Sequence, residues 1–171
     1  NPPWNIEELL KIVADHGFDP NQFCVDIQAS PIEALRLFFQ AVDEEMLKFT
    51  QQPLWKDLKT TAKVKHLLLE RYRLFTQNQE LIKKLIVFLK KPTNWGQNLR
   101  IGYQTVNTMW YACGDTATDF NFYTKRALLG FVHGSTLKVW EKNPEDFAAI
   151  EQSLVNSVDM ITCDFQRLHV N

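Results

Sequence analysis

Helix-start signals recur along this sequence, and the apolar residues between them are spaced three or four positions apart. Residues 30–33 read Ser-Pro-Ile-Glu, a capping box with proline at the first helical position, and residues 143–146 and 116–119 carry related signals. Glycine and proline fall mostly at the breaks, and no stretch alternates convincingly as a strand does. The pattern predicts an all-α fold with seven helices, at about residues 5–16, 30–51, 53–76, 78–91, 94–113, 116–142 and 143–168.

The length of the chain and its cysteines limit the class of protein. At 171 residues it has the length of one domain, and a domain of this size buries roughly 70% of the surface that the unfolded chain exposes. No segment reaches the ~18 uninterrupted apolar residues of a membrane-spanning helix. Cys24, Cys113 and Cys163 are too few and too scattered for a disulfide framework or a metal knuckle, which predicts a reducing compartment.

Charge is distributed unevenly along the chain. Residues 1–50 hold nine acids and only Lys11, Arg36 and Lys48 as cations, a net charge of −6, whereas residues 51–171 carry +5. A helix-turn-helix near the amino terminus needs cations that reach phosphates and base edges of DNA. The acidic start of the chain therefore argues against nucleic-acid binding.

A basic run covers residues 56–100, with 11 cations and three acids. The run is either a set of solvated helix faces or a surface for acidic head groups or an acidic partner. Within it, residues 80–91 read ELIKKLIVFLKK and combine a broad apolar surface with four lysines. This segment is either a core helix with a solvated lysine edge or a helix that lies near anionic lipid.

Residues 114–129, GDTATDFNFYTKRALL, combine a helix end with a helix start. Gly114 suits the left-handed position that ends one helix, and Thr116 with Asp119 suits the cap of the next. Carboxylates at a helix start also complement the helix dipole. Part of this polar cluster is therefore explained by helix capping alone.

The helix predicted at 116–142 is apolar on two sides. At 100° per residue, one face holds Phe120, Tyr123, Ala127 and Phe131. The roughly opposite face holds Phe122, Leu129, Val132 and Trp140. One face meets the protein core, and the other is covered by the same core, a second subunit, a partner protein or an apolar ligand.

No motif of a known catalytic or metal site occurs in the sequence. It contains no G-x-S-x-G, Walker, dinucleotide-binding or zincin motif. A di-iron helical bundle needs Glu-x-x-His pairs, and no acid here has histidine three positions later. The histidines lie far apart, at His16, His66, His133 and His169. We expect them at the surface or the edge of the core, and we expect no metal site, no catalytic residue and no enzyme.

Residues 109–140, MWYACGDTATDFNFYTKRALLGFVHGSTLKVW, resemble the signature of the ubiquinone-biosynthesis accessory family called Coq nine. The string that carries the resemblance is Gly114, Asp115, Thr118, Asp119, Phe120, Asn121, Tyr123, Thr124 and Arg126. Weaker similarity extends from about residue 5 to 168, including KPTNWGQNLRIGYQTVNTMW just before the signature. The family shares the fold of TetR-type regulators. The resemblance thus implies a TetR-like helical bundle with a reduced or incomplete amino-terminal helix-turn-helix head.

The resemblance also implies a function. Proteins of this family are dimeric, lipid-binding and not enzymes; they hold isoprenoid quinone intermediates and present them to the di-iron hydroxylase that acts on demethoxyubiquinone. On that basis residues 1–50 are a reduced helix-turn-helix-like segment, packed on the same domain as a lipid-binding and dimerisation region at residues 51–171. We expect a homodimer through the last two helices, a bound lipid or isoprenoid quinone, and no cofactor.

Two sets of residues follow from the resemblance and from the apolar faces. The partner-binding patch that faces the hydroxylase is implied to be Met109, Trp110, Asp119, Asn121, Phe122 and Tyr123. The candidate lipid-binding residues are Phe120, Tyr123, Ala127 and Phe131. Phe122 stands where the family often has tryptophan, so the indole N–H is missing at that position. Thr124, Lys125 and Arg126 complete the signature without an assigned role.

Two other functions and two locations stay open. A TetR-type ligand-responsive transcription regulator would have the same architecture, although residues 17–36 contain Arg36 as their single cation. A plain interaction scaffold would bind no lipid. With no recognisable transit segment, we expect a bacterial cytoplasmic protein peripheral to the inner membrane, and the matrix face of the mitochondrial inner membrane is the alternative. The family's carboxy-terminal amphipathic membrane-binding helix would fall beyond Asn171.

Overall fold

The computed structural model describes residues 31–115 and 120–168, together with Ala14 and Asp19 as single positions. These residues form six α-helices: α1 (Pro31–Leu47), α2 (Thr60–Gln77), α3 (Gln79–Leu89), α4 (Trp95–Ala112), α5 (Phe120–Lys142) and α6 (Phe147–Leu168). Short 3-10 helices follow α1 at Lys48–Gln51 and Pro53–Asp57 and precede α4 at Pro92–Asn94. Within the described ranges there is no β-strand, and the all-α prediction is confirmed. The helix predicted at 5–16 and the capping signals at Ser30 and 116–119 lie outside those ranges.

One core surrounds α2. The buried side chains of this helix share one side because they are spaced three or four positions apart, and they are Val64, Leu67, Leu68, Arg71, Tyr72 and Phe75. α1 packs on α2 and α4, while α6 packs on α2 and makes its most extensive contact with α5. α4 also packs on α5. The ends of α4 and α5 are thereby held against the same core as the rest of the chain.

The helix predicted at 53–76 is wrong in its first part. Pro53–Asp57 is a 3-10 helix, and Leu58 then takes an extended backbone (φ −74°, ψ 138°) before α2 begins at Thr60. The break accompanies the burial of Trp55, whose ring lies edge-to-face with Phe49 at a centroid distance of 6.3 Å. Trp55 belongs to the buried core, and burial of this large ring outweighs the helical spacing of the local sequence.

The helix predicted from residue 143 begins four residues later, at Phe147. Asp146 and not Asn143 caps it, because the backbone N–H of Ala149 donates to Asp146 Oδ1 at 3.0 Å. Pro144 is buried in the preceding turn, where its carbonyl accepts the Thr76 hydroxyl at 2.8 Å. Asn143 and Asp146 are both acceptable N-cap residues. The hydrogen bond from Thr76 of α2 to Pro144 accompanies the choice of Asp146.

α3 is a core helix. Its eleven residues include six buried apolar side chains, and its lysines lie at or near the surface. The buried side chains are Leu81, Ile82, Leu85, Ile86, Phe88 and Leu89. Lys90, just after the helix, pairs with Glu141 of α5 at 2.6 Å. The structure therefore shows that one side of this helix belongs to the core, and it leaves Lys84 and Val87 exposed on the other side. None of the helices in the described part of the chain is both long and apolar enough to cross a bilayer.

α4 ends as the sequence predicts, in a left-handed turn at Gly114. The glycine has φ of 84°, its N–H donates to the Tyr111 carbonyl at 3.0 Å, and the N–H of Asp115 donates to the Trp110 carbonyl at 3.0 Å. These two hydrogen bonds form a Schellman motif, which satisfies carbonyls that the helix end would leave open. The turn delivers Asp115 to the start of α5.

Gly114→Ala is expected to lower the free energy of unfolding by about 1–2 kcal/mol, because an L-residue resists the left-handed conformation. A Cβ at Gly114 would meet no atom within 4 Å, so the effect comes from the backbone and not from a clash. Gly130, inside α5, is the matched control, since its Cβ would also meet nothing within 4 Å. Gly130→Ala is expected to raise stability by up to about 1 kcal/mol. Urea titrations of both variants measure the difference, and shifts of the same sign would contradict it.

Candidate functional site

The end of α4 and the start of α5 meet in a cluster of charges and aromatic rings. We call it the α4–α5 junction and define it as Asn107, Trp110, Tyr111, Asp115, Phe122, Tyr123, Lys125 and Arg126. It coincides with the part of the sequence that carries the family signature. Its geometry shows why the signature mixes acids, cations and rings.

Asp115 is the centre of the junction. Its Oδ1 accepts the Lys125 ammonium at 2.6 Å, and its Oδ2 accepts Nη1 of Arg126 at 3.1 Å. The side chains of Asp115 and Arg126 are only 4% and 2% exposed, so the guanidinium depends on this carboxylate for its counter-charge. The pair fastens the second turn of α5 to the turn that ends α4.

Arg126 connects α4 with the aromatic rings of α5. Its Nε donates to Asn107 Oδ1 at 2.7 Å, and its Nη1 also donates to the Phe122 carbonyl at 3.1 Å. The guanidinium carbon lies 3.4 Å from the ring centroid of Phe122 and 5.4 Å from that of Tyr111. Nη2 is buried with no hydrogen-bond partner among the described residues. Arg126 thus fixes the position of the Phe122 ring by stacking, charge and hydrogen bonding together.

Trp110 forms the other side of the junction. Its indole N–H donates to the Lys125 carbonyl at 3.1 Å, and the Lys125 ammonium lies 5.5 Å from the centre of the ring. The ring is half-buried and packs against the core. Lys125 therefore contacts Trp110 with both its backbone and its side chain, and Asp115 with the same ammonium.

Two tyrosines of the junction project into solvent. Tyr123 is 67% exposed, and Tyr111 is similarly exposed. The Tyr123 ring meets Phe122 edge-on, with centroids 5.1 Å apart and an interplanar angle of 77°. Exposed aromatic side chains on a rigidly held base are typical of surfaces that bind another protein.

An apolar pocket of about 160 Å³ lies beside the junction, between α2, α4, α5 and α6. It is lined by Thr61, Val64, Trp110, Lys125, Leu128, Leu129, Val132 and Val158. A dry protein cavity of about 150 Å³ holds one benzene molecule. The pocket therefore accommodates one ring or about one isoprene unit, and a whole polyprenyl chain does not fit in it.

The residues of the implied partner-binding patch differ in their exposure to solvent. Asn121 and Tyr123 are exposed, Phe122 and Trp110 are half-buried, and Asp119 lies outside the described residues. Met109 is fully buried and cannot contact a partner directly. The reason is its position on α4, since Met109 continues the buried stripe of Ile101, Thr105 and Val106.

The candidate lipid-binding residues lie on an open face of α5. Tyr123 and Phe131 are 67% and 52% exposed, Ala127 is exposed between them, and the side chain of Phe120 is not described. The opposite face of α5 is buried in the core at Leu129, Val132 and Trp140. The interpretation in which one core covers both faces is thus excluded for Tyr123, Ala127 and Phe131.

Sequence reasoning assigned no role to Lys125 and Arg126, and it treated Asp115 as a helix-cap residue. The structure joins all three across the turn. One signal was available: Lys125 and Arg126 are adjacent cations on a helix that is otherwise largely apolar in this part, and buried cations require acids. Asn107 gave no signal, because its link to Arg126 spans 19 positions and depends on how α5 packs on α4.

A second buried charge pair lies under α1. Arg71 of α2 pairs with Asp43 of α1, and the Thr105 hydroxyl of α4 donates to Asp43 Oδ2 at 3.0 Å. The guanidinium carbon is 4.9 Å from the Phe75 ring centroid, and burial lowers the pKa of Arg71 to about 10. This cluster holds three helices together.

The described histidines are structural, as expected from their spacing. Tyr72 donates its hydroxyl to the backbone carbonyl of His133 at 2.7 Å, and the hydroxyl oxygen lies 2.8 Å from Nδ1 of the same residue. Burial, with a smaller contribution from Arg71, lowers the pKa of His133 to about 3. His66 stacks on Phe49 at 5.3 Å between ring centroids.

Two further observations concern reactive groups. Burial raises the pKa of the Cys113 thiol to about 11, which keeps it protonated and weakly nucleophilic near neutral pH. In the part of the chain that the structure describes, no three His, Cys, Asp or Glu side chains come together as metal ligands do.

Comparisons with known proteins fall on the same region. The COQ9 family model matches residues 95–162, which contain α4, α5 and most of α6. The chain is 29% identical over 117 residues to the human "ubiquinone biosynthesis protein COQ9, mitochondrial", covering 68% of this chain and 37% of the human protein.

Two relatives of the same name are similar over more of the chain. The protein of Rattus norvegicus is 28% identical over 178 residues, covering 88% of this chain and 55% of the relative. The protein of Bos taurus is 28% identical over 177 residues, covering 87% and 53%. The chain thus spans about half the length, or less, of the curated relatives it matches. The resemblance to this ubiquinone-biosynthesis family is confirmed, and the α4–α5 junction lies inside the matched region.

Proposed function

From the confirmed likeness to the COQ9 family, we propose that this chain acts in ubiquinone biosynthesis as an accessory protein and not as an enzyme. It holds an isoprenoid quinone intermediate and presents it to the di-iron hydroxylase that acts on demethoxyubiquinone. The observation that carries the proposal is the α4–α5 junction within the matched region, where the buried Asp115–Arg126 pair fixes the Phe122 ring and the exposed Tyr123 packs against that ring.

We infer the partner-binding surface from the described residues of the implied patch, which do not include Asp119. It consists of Asn121 and Tyr123 with the edge of Phe122, and Tyr111 extends it onto α4. Met109 supports it from below. Tyrosine supplies large contact area with little loss of side-chain entropy, so a few such residues are enough to anchor a protein partner.

The bound lipid has two places to lie. The first is the pocket beside Lys125, which accepts its ring or one isoprene unit. The second is the open face of Tyr123, Ala127 and Phe131, which lies on the opposite side of α5 and accepts the tail of a lipid that does not enter the pocket. A second copy packed on α5 and α6 covers the tail at Ala127 and Phe131, which makes the protein a homodimer and leaves Tyr123 open to the hydroxylase. Transferring about ten tail carbons out of water yields on the order of 8 kcal/mol. The same transfer out of a bilayer yields almost nothing, so selectivity comes from pocket shape and from polar groups such as Lys125.

A plain interaction scaffold is the second candidate function, and the size of the pocket favours it. About 160 Å³ is small for a site that must hold a long prenyl chain. A scaffold uses the same exposed tyrosines to bind its partner and needs no ligand. Regulation of transcription finds less support, since Arg36, the single cation of residues 17–36, pairs with Glu33.

The relatives also guide the proposed location. All three are named as mitochondrial proteins, so we place this chain at the matrix face of the mitochondrial inner membrane. The bacterial inner membrane that the sequence suggested receives no support from these names.

Lipid extraction separates the two candidate functions. The chain is expressed in a host that makes ubiquinone, purified, and extracted with organic solvent for mass spectrometry. An isoprenoid quinone precursor at about one molecule per chain or per dimer is expected. Purified protein without any isoprenoid would leave the scaffold as the better account.

A binding titration tests the partner-binding surface. Tyr123→Ser is expected to weaken binding of the di-iron hydroxylase by tenfold or more, because an exposed aromatic anchor at an interface contributes roughly 1–3 kcal/mol. Tyr103→Ser removes an exposed tyrosine from another part of α4 and serves as the matched control. Equal binding by both variants in a titration followed by light scattering would refute the assignment of the surface.

A further inference from the structure

The first half of α4 carries an apolar stripe that no described residue covers. Trp95, Leu99 and Tyr103 are 63%, 64% and 48% exposed, and their spacing of four residues places them along one side of the helix. Farther along the same side, Val106 and Trp110 are packed against the core. The apolar side of α4 therefore runs the length of the helix, and only its second half is used within the chain.

The segment that carries this stripe has charges of one sign. From residue 81 to residue 114 the chain contains no acid, and its cations are Lys83, Lys84, Lys90, Lys91 and Arg100. In space, Glu33 of α1 lies near Arg100, because the pKa of Glu33 is lowered mainly by Arg36 and to a smaller extent by Arg100. Lys90 is neutralised by Glu141, and Lys84 and Arg100 are exposed. Val87, between the lysines of α3, is a further exposed apolar side chain at 61%. Apolar and cationic side chains thus occupy both sides of the turn that joins α3 to α4.

We propose that this corner, consisting of Lys84, Val87, Lys91, Trp95, Leu99, Arg100 and Tyr103, is the surface by which the protein rests on an anionic lipid bilayer. Tryptophan and tyrosine have an apolar body with one polar atom and concentrate at membrane interfaces. Lysine and arginine extend their charged ends to the head groups while their stems stay in apolar surroundings. Anionic lipid supplies the negative charge that this stretch of chain lacks.

A bilayer fits the stripe better than a protein partner does. A stable protein interface buries about 800 Å² on each side and carries roughly ten hydrogen bonds. Trp95, Leu99 and Tyr103 offer only one indole N–H and one hydroxyl as side-chain polar groups. The other polar groups of the corner are cations, whose partners are anions such as lipid head groups. Lipid chains require no hydrogen bonds from the side chains that enter them.

The position of the corner suits the proposed function, on which this inference rests for its membrane. Trp95 and Trp110 stand at opposite ends of α4, and 15 helical residues span about 22 Å. The α4–α5 junction is therefore at the far end of the helix from the bilayer contact. A protein can bind Tyr123 without displacing the membrane.

Flotation of the full chain with vesicles tests the proposal. The vesicles contain phosphatidylcholine alone or phosphatidylcholine with about 30% phosphatidylserine, and neither contains quinone. We expect binding to the anionic vesicles that falls at high salt. Trp95→Ser combined with Leu99→Ser is expected to lower the partition coefficient by tenfold or more, and Lys84→Gln combined with Arg100→Gln by about tenfold. Leu54→Ser, at an exposed leucine on another element, is the matched control and should bind as wild type.

Three outcomes would overturn the proposal. The first is wild-type protein that binds neither vesicle, and the second is equal binding by wild type and the Trp95→Ser, Leu99→Ser variant. The third is a Trp95→Ser, Leu99→Ser variant that binds vesicles normally but has a smaller mass in solution than the wild type. That result would show that a second copy of the chain covers the stripe. All substituted side chains are exposed, and circular dichroism confirms folding. Because the vesicles carry no quinone, a negative result leaves the lipid-extraction experiment as an independent test of the function.

Discussion

Replacing Asp115 with alanine is expected to lower the free energy of unfolding by about 3–5 kcal/mol, the usual cost of leaving a buried charge without its partner. Arg126 is only 2% exposed, and Asp115 is its sole carboxylate within salt-bridge distance among the described residues. Lys125 loses the same partner, but it is 40% exposed and water can replace the carboxylate. Denaturant titration of the full chain measures the loss.

Two comparisons show whether burial of the charge is the cause. Glu45→Ala breaks the ion pair with Lys48, in which both side chains are about half exposed, and should change stability by less than about 1 kcal/mol. Asp115→Ala combined with Arg126→Leu removes both charges and should recover much of the loss. A cost for Asp115→Ala no larger than that of Glu45→Ala would contradict the role given to Asp115.

Acid is expected to destabilise the protein through His133, beginning near pH 6.5. The folded chain keeps this imidazole neutral down to a pKa of about 3, whereas the unfolded chain takes up a proton near the ordinary value of 6.5. The unfolded state therefore binds more protons between these values, and the free energy of unfolding falls as the pH falls. The slope is about 1.4 kcal/mol per pH unit, so this group alone accounts for about 2 kcal/mol between pH 6.5 and 5.

His133→Phe isolates this contribution. The substitution keeps an aromatic ring and the backbone carbonyl that accepts the Tyr72 hydroxyl, but it removes the titrating group. We expect the decrease in stability between pH 6.5 and 5 to be about 2 kcal/mol smaller in the variant. The comparison is made in this window because few carboxylates titrate there. Parallel pH profiles for the two proteins would show that His133 takes up its proton in the folded state.

The sequence predicted the helices where local chemistry decides them. Gly114 is the clearest example, since only a left-handed turn explains a glycine between an apolar helix end and a polar start. Predictions failed where a distant contact decides the structure. The Trp55 ring breaks the helix predicted at 53–76, and the Thr76 hydroxyl bound to Pro144 moves the start of α6 to Phe147.

In the candidate site, too, local patterns predicted some features and contacts between distant residues decided others. The signature and the two apolar faces of α5 indicated where the exposed aromatic residues would be, and Tyr123 is exposed there. They did not indicate that Met109 is buried, because its depth depends on the packing of α4 against its neighbours. The Asp115–Arg126 pair was also missed, since spacing in the sequence gives no distance across a turn. Residues of four helices set the volume of the pocket beside Lys125, so no local sequence pattern could predict it.

Lys125 belongs to two structures at once, because its ammonium binds Asp115 and its side chain also lines the apolar pocket. Any molecule that enters the pocket packs against the stem of Lys125, whose ammonium ties α5 to α4. If that contact changes the affinity of Tyr123 for a protein, thermodynamic reciprocity requires that the protein changes the affinity of the pocket by the same factor. Loading and delivery of a cargo would in this way be coupled through a single cation, without any rearrangement of the helices.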